Sequence, residues 1–249
     1  MTTPLENTLR KLFATETANA GAVLSQARDR DTAVKLAFGA GQRTDRTFLP
    51  VFQSVACKPG CAFCCRGVRV DVTAPEALTI ARGFRETLSA AHLAVIREHV
   101  ERNAAAVRAM TLEERYRART PCALLDETSN RCSVYDARPM RCRAHHSLSA
   151  TDCEAISVDP ERPRVLSRYP DVMAAHDAMI LGQRRALAAE KVDFRSFELS
   201  LALSVALAHE DAAERWARGE RLFDAAVFSW PDEAPPVESE LPSVLLGEK

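Results

Sequence analysis

Four thiols fall within nine residues, in the stretch Cys57-Lys-Pro-Gly-Cys61-Ala-Phe-Cys64-Cys65, and Cys122, Cys132, Cys142 and Cys153 follow in one later segment. Ionised thiols bind soft or borderline metal ions, and turns that bring several sulfurs to one point are the usual way to build such a site. Cys61 and Cys64 have the spacing of a metal-binding knuckle. Pro59-Gly60 favours a turn that brings Cys57 to them. Cys65 is the odd member. Neighbouring side chains tend to diverge, so Cys64 and Cys65 are expected to face different metals or different sides of one cluster. In the later segment, Asp126-Glu-Thr-Ser-Asn130 is rich in turn formers and predicts a hairpin with Cys122 and Cys132 at its base. Eight sulfurs make two sets of four. They suit two tetrahedral zinc ions, two iron–sulfur clusters, or one cluster with thiols to spare. Four thiolates suit zinc and iron alike, so the sequence leaves that choice open.

Lys58, Arg66 and Arg69 flank the first cysteine group, and Arg131, Arg138, Arg141 and Arg143 flank the second. Cations beside thiols lower their pKa and offset the charge of a thiolate site. The competing reading is that these side chains coat the surface or hold a separate anion. His145 and His146 follow Cys142 and are the leading non-cysteine candidates. Either can replace a sulfur as ligand, or act as acid or base beside a metal; a plain structural pair is the simpler reading. Pro139 fixes its own φ and favours an extended Arg138. Arg138 and Arg143 can hydrogen-bond sulfur or backbone carbonyls and so orient the ligands. Tyr135 is a further side chain that can face an open coordination position. His92, His99, His176 and His209 lie in helical patterns and read as packing or surface residues.

These groups need a scaffold, and the pattern predicts a mainly α fold: a helical protein with an irregular, cysteine-rich metal-binding core. Leu5, Leu9, Leu12 and Phe13 begin a helical pattern over 5–38 that Gly21 can divide, and Gly39-Ala-Gly41 marks a break. Val68–Val72 alternates like a short strand. Thr73-Ala-Pro-Glu76 is a capping box that starts a helix to about residue 87. Ser89 caps the next, to about Met110, and Thr111-Leu-Glu-Glu114 opens a short one through Arg119. Residues 120–160 carry little periodicity; so long a loop needs something to hold it, as a metal would. Helices return from Pro170, with further ones expected over 194–208, after Asp193, and over 211–228. From Pro231 the composition is that of a loose tail. The expected organisation is a helical segment over 1–46, a cysteine-cluster domain over 47–160, C-terminal helices packed on it over 161–230, and a flexible tail over 231–249.

At 249 residues the chain can bury a substantial core, and it does not need disulfides merely to fold. Lys+Arg (33) nearly balance Asp+Glu (34), so bulk charge gives no reason to expect nucleic acid or an anionic membrane surface. No apolar run approaches a membrane span. Met1–Asn7 lacks the basic start and apolar core of a signal peptide, so a cytoplasmic protein is expected. In a reducing compartment eight grouped cysteines read as metal ligands before disulfides.

The cysteine-bearing segment resembles the YkgJ-type cysteine-cluster family, whose members are described as zinc- or iron-chelating and carry a CxxCxxCC signature. Cys57–Cys65 matches it with one extra residue in the first gap. Thr120-Pro-Cys122-Ala-Leu-Leu125 and Arg131-Cys-Ser-Val-Tyr-Asp-Ala-Arg-Pro-Met-Arg-Cys-Arg143 resemble two further elements of the family, and Cys153 falls where it often has a last cysteine. The resemblance spans about residues 52–155. It implies a metal ion as the partner, zinc or iron, with an iron–sulfur cluster as one form. A related cluster in flagellin lysine N-methylases implies an alternative, an iron-dependent redox or modification enzyme with methyl-transfer-like chemistry. Against it, the chain shows no Gly-rich loop after a strand for adenosylmethionine. A third reading is a helical interaction module stapled by a structural metal, with an unknown protein partner.

Overall fold

Capping residues set where most of the helices begin. The computed structural model describes residues 3–159, 161–163, 165–229, 240, 241 and 245. Helix α1 (Pro4–Leu24) starts at a capping box in which Thr3 Oγ1 accepts from the Glu6 amide at 3.2 Å. Helix α2 (Thr32–Phe52) follows a turn in which Asp29 Oδ1 accepts from the Asp31 amide. After the first cysteine group come β1 (Asp71–Val72), α3 (Ala74–Thr87), α4 (Ala90–Arg108) and α5 (Leu112–Arg117). The last three helices begin behind Thr73, Ser89 and Thr111, as their capping patterns predict. Then follow β2 (Leu125–Asp126), β3 (Arg131–Cys132), α6 (Met140–Ala144), α7 (Ala150–Val158) and α8 (Pro170–Ala189). The last elements are β4 (Ser196–Glu198), α9 (Leu199–Ala208), α10 (Ala212–Ala217) and β5 (Val227–Ser229). The fold is mainly α, as expected. No helix among the described residues is long and apolar enough to cross a membrane.

Several sequence expectations are corrected. The break falls at residues 25–31, and Gly39 and Gly41 lie inside α2. Two interior glycines cost about 1 kcal/mol each in helix propensity. Burial of Leu36, Ala40, Thr44 and Phe48 along one face outweighs that. Residues 196–198 form a strand, because β4 pairs antiparallel with both β1 and β5 and fully buries Phe197. Helix α10 stops at Ala217, and the chain turns at Gly219 (φ 92°) to reach β5. The 120–160 region holds the expected hairpin, and also α6 and α7, which its sequence did not suggest. The tail expected from residue 231 lies largely outside the described residues; within it, Leu241 is buried.

Two apolar clusters result. The larger joins α3, α9 and α10 to the small sheet and buries Phe84, Phe197, Leu203, Trp216 and Phe223. The smaller joins α1, α2 and α8 through Phe13, Phe48, Val172 and Met179. Helices α1 and α8 pack so closely that a Cβ at Gly182 would stand 2.5 Å from the Phe13 carbonyl oxygen. Cys122 belongs to the larger cluster and Met140, at the head of α6, to the smaller. Cys65 and Cys132 also pack against the larger cluster, and Met140 places the start of the Cys142 helix on the smaller one.

His176 is fully buried in the smaller cluster, stacked on Phe48 at 4.2 Å, and neither ring nitrogen has a hydrogen-bond partner among the described residues. Burial, with smaller effects of His146, Arg141 and Arg143, pushes its pKa down to about 3. Below about pH 6.5 the unfolded chain takes up a proton that the folded chain refuses. Stability from this residue is therefore lost as pH falls from about 6.5 toward 3, by roughly 2–3 kcal/mol at pH 4.5. His176→Phe keeps the stack and is expected to remove that loss. Urea midpoints of the two proteins from pH 7 to 4.5 check this, and a difference that stays constant with pH would contradict it.

Candidate metal centre

The first cysteine group hangs between two fixed points. At its start, the Ala56 amide donates to the Ser147 carbonyl at 2.8 Å. Lys58-Pro59-Gly60-Cys61 then makes the expected turn, with Gly60 at φ 89° and the Cys61 amide on the Lys58 carbonyl at 3.0 Å. At its end, the Gly67 amide donates to Thr120 O at 3.0 Å, and the Cys122 amide to Cys65 O at 2.7 Å. A Cβ at Gly67 (φ 107°) would stand 3.2 Å from Tyr116 backbone atoms, which is why this crossing takes glycine. The later cysteines come from three elements. Leu125 pairs with Cys132 across the β2–β3 hairpin, which turns at Asn130 (φ 55°). Cys142 rides on α6 and Cys153 on α7.

Seven of the eight cysteines, all but Cys153, line one cavity of about 350 Å³. All eight are free thiols. Cys153 lines a second cavity of about 290 Å³, whose wall shares Cys64, Val68, Arg69 and His145 with the first. The donor set fits a thiophilic ion: sulfur dominates, and Asp71 is the one carboxylate among the residues lining the larger cavity. As the side chains stand, no three His, Cys, Asp or Glu among the described residues are gathered tightly enough to hold an ion. The sulfurs ring a space, and a change of χ1 rotamer re-aims a sulfur without moving the backbone.

Burial dominates the thiol electrostatics. It pushes Cys57, Cys61 and Cys132 up, Cys122 up to about 12, and Cys142 well above its ordinary value. Cys64 and Cys65 are an exception of their own making. A hydrogen bond between them holds the proton on Cys64 and draws Cys65 down to about 7, helped by Arg138 and Arg66. A coordinated cation would reverse the burial effect, because a metal-bound thiol gives up its proton.

The flanking cations divide. Arg138 acts on Cys57, Cys65 and Cys132, with its guanidinium 3.8 Å over the Tyr135 ring. Its Nε donates to the Tyr135 carbonyl at 2.9 Å. Arg141 is held by Asp71 and Asp177. Arg143 is buried, paired with Asp45, and donates to the Arg138 carbonyl at 2.8 Å and to that of Asp136. Arg143 therefore braces the turn before Cys142 through carbonyls, not sulfur. His146 is buried between backbone groups: Nδ1 donates to Ala144 O at 2.8 Å, and Nε2 accepts from the Tyr169 amide at 2.9 Å. His145 and Tyr135 line the larger cavity. Burial, with Arg168, His146 and Arg141, pushes His145 down to about 4, so its imidazole is neutral at pH 7.

One positioning residue escaped sequence reasoning. Glu76 completes the α3 capping box through Oε2, and its Oε1 accepts from the Met140 amide at 2.7 Å, at the head of the helix that carries Cys142. The capping pattern signals the first role and nothing signals the second, which spans 64 residues of sequence.

Fold and site together define a mainly α protein built round a cysteine-lined cavity. Residues 56–172 match the model of the family described as "CxxCxxCC: Putative zinc- or iron-chelating domain". The match takes in all eight cysteines and a little under half of the chain, so the resemblance expected from the motifs holds over that segment. No curated protein and no solved structure is significantly similar to the chain.

Proposed function

We propose that the protein is a thiolate chelator of zinc or iron and that its eight cysteines are the ligands. The observation that carries this reading is the convergence of seven cysteines, from two distant segments, on one cavity. Four-sulfur coordination suits a closed zinc site or an iron–sulfur cluster. Arg138 offsets thiolate charge, while Arg143 and Glu76 fix the backbone that presents Cys142. Metal content and an absorption spectrum, on protein purified without oxygen, test it. Either a colourless protein with about two zinc ions or a brown one with iron and acid-labile sulfide is the expected result. A metal-free protein without free thiols would overturn it in favour of disulfides.

A second reading, a redox or modification enzyme, is favoured by one observation: His145 and Tyr135 face the same cavity as the sulfurs. A bound iron centre there would supply electron transfer or Lewis-acid polarisation. His145, neutral at pH 7, can accept a proton. The second cavity, bordered by Phe63, Tyr116 and Ile156, offers an apolar space beside it.

A further inference from the structure

We propose that the eight thiols form two separate four-sulfur centres: an inner one of Cys65, Cys122, Cys132 and Cys142, and an outer one of Cys57, Cys61, Cys64 and Cys153 that opens on the second cavity. This rests on the chelator reading above and adds to it which sulfurs act together and which centre can be reached.

The inner set is tied together by backbone. The Cys122 amide bonds to Cys65 O, and the Leu125 amide to Cys122 O at 3.0 Å. The strand register then sets Cys132 opposite Leu125. Glu76 fixes the start of α6, and with it Cys142. Every pair within this set is close enough for one thiol to act on the charge of the other. Cys122 is buried in the larger core, with Cys65 and Cys132 packed against it.

The outer set is drawn together from the other side. The bond from the Ala56 amide to Ser147 O brings the Cys57 end to the turn before α7. Ser149 caps that helix, and Cys153 lies in its first turns. Cys57, Cys61 and Cys153 act on one another, and Cys64 acts on Cys57. Two outer members border the inner set: Cys64 also meets Cys65 and Cys142, and Cys61 also meets Cys65. A tetrahedral site takes four ligands, which the inner set supplies without either of them. Cys64 and Cys153 both line the second cavity, where Phe63, Leu112, Ile156 and Leu166 surround them. The second cavity touches two members of the outer set and none of the inner set, so it gives the outer centre an approach of its own.

The test is stepwise chelation of the zinc-loaded, full-length protein, with alkylation of released thiols and peptide mapping. The expected result is two zinc ions per chain. The first to leave frees Cys57, Cys61, Cys64 and Cys153 as a block, while the other four stay protected. The Cys153→Ser variant is expected to keep one zinc and the same protected inner set. Release of a block that mixes the two sets, release of all eight thiols in one step, or loss of both zinc ions in Cys153→Ser would overturn the proposal. A single ion per chain would overturn it and leave the chelator reading standing. Failure to take up either zinc or iron would overturn both.

Discussion

Glu198→Ala is expected to destabilise the fold by about 3–5 kcal/mol, the cost of breaking a buried ion pair from one side. Glu198 Oε1 accepts from Arg115 Nη1 at 2.6 Å, and the two side chains are only 6% and 3% exposed. Removing the carboxylate leaves the guanidinium charged in a dry site, with too little water to replace its partner. The same carboxylate accepts from the Leu201 amide at 2.9 Å and so caps α9, which adds about 1 kcal/mol to the loss. The damage should reach the cysteines, because Arg115 precedes Tyr116, whose backbone packs on Gly67, and because Arg115 acts on Cys122. Urea denaturation measures the first effect and retained metal the second. Replacing both partners, in Arg115→Met with Glu198→Leu, is expected to recover much of the stability, since two apolar side chains leave no orphan charge. A single mutant within 1 kcal/mol of wild type would show that water reaches the pair.

Glu76→Ala carries the second large effect, about 2–6 kcal/mol. It leaves the Thr73 and Met140 amides without acceptors in a buried site, at about 1–3 kcal/mol each. Cys142 should become the most readily alkylated inner thiol, because its helix loses its anchor. Glu76→Gln keeps the shape and one acceptor oxygen, so it should fall between wild type and alanine. The pH dependence adds an independent check. Burial raises the Glu76 pKa above its ordinary value of 4.5, so the folded chain holds a proton that the unfolded chain has already lost. Stability from this group is present at low pH and declines as pH climbs from 4.5 to the raised value. Glu76→Gln should flatten that part of the slope. If thermal unfolding shows the same slope in both proteins, Glu76 is not buried as described.

Local signals were legible wherever a few adjacent residues settle the outcome. Thr73, Ser89 and Thr111 start their helices because an N-cap needs only a short side chain and the next turn of amides. The Gly60 turn and the Asn130 hairpin were legible for the same reason. Misreadings cluster where distant segments compete with local propensity. Residues 196–198 have neighbours that favour helix, but strand pairing with β1 and β5 wins. Gly39 and Gly41 weaken a helix that burial nevertheless sustains.

What the sequence determined by itself was the thiol content: eight cysteines in two groups, matching over residues 56–172 the model of a family described as zinc- or iron-chelating. Thiol content and short spacing are properties of the chain alone, so no fold was needed to read them. Only the tertiary structure decided which sulfurs face one another. It brought Cys65 to Cys122 through one backbone hydrogen bond, turned His146 toward backbone and His145 toward the cavity, and made Glu76 the anchor of Cys142. Those contacts join residues tens of positions apart. They form where segments packed on the apolar cores converge, and that convergence is set by packing across the whole chain rather than by any local pattern.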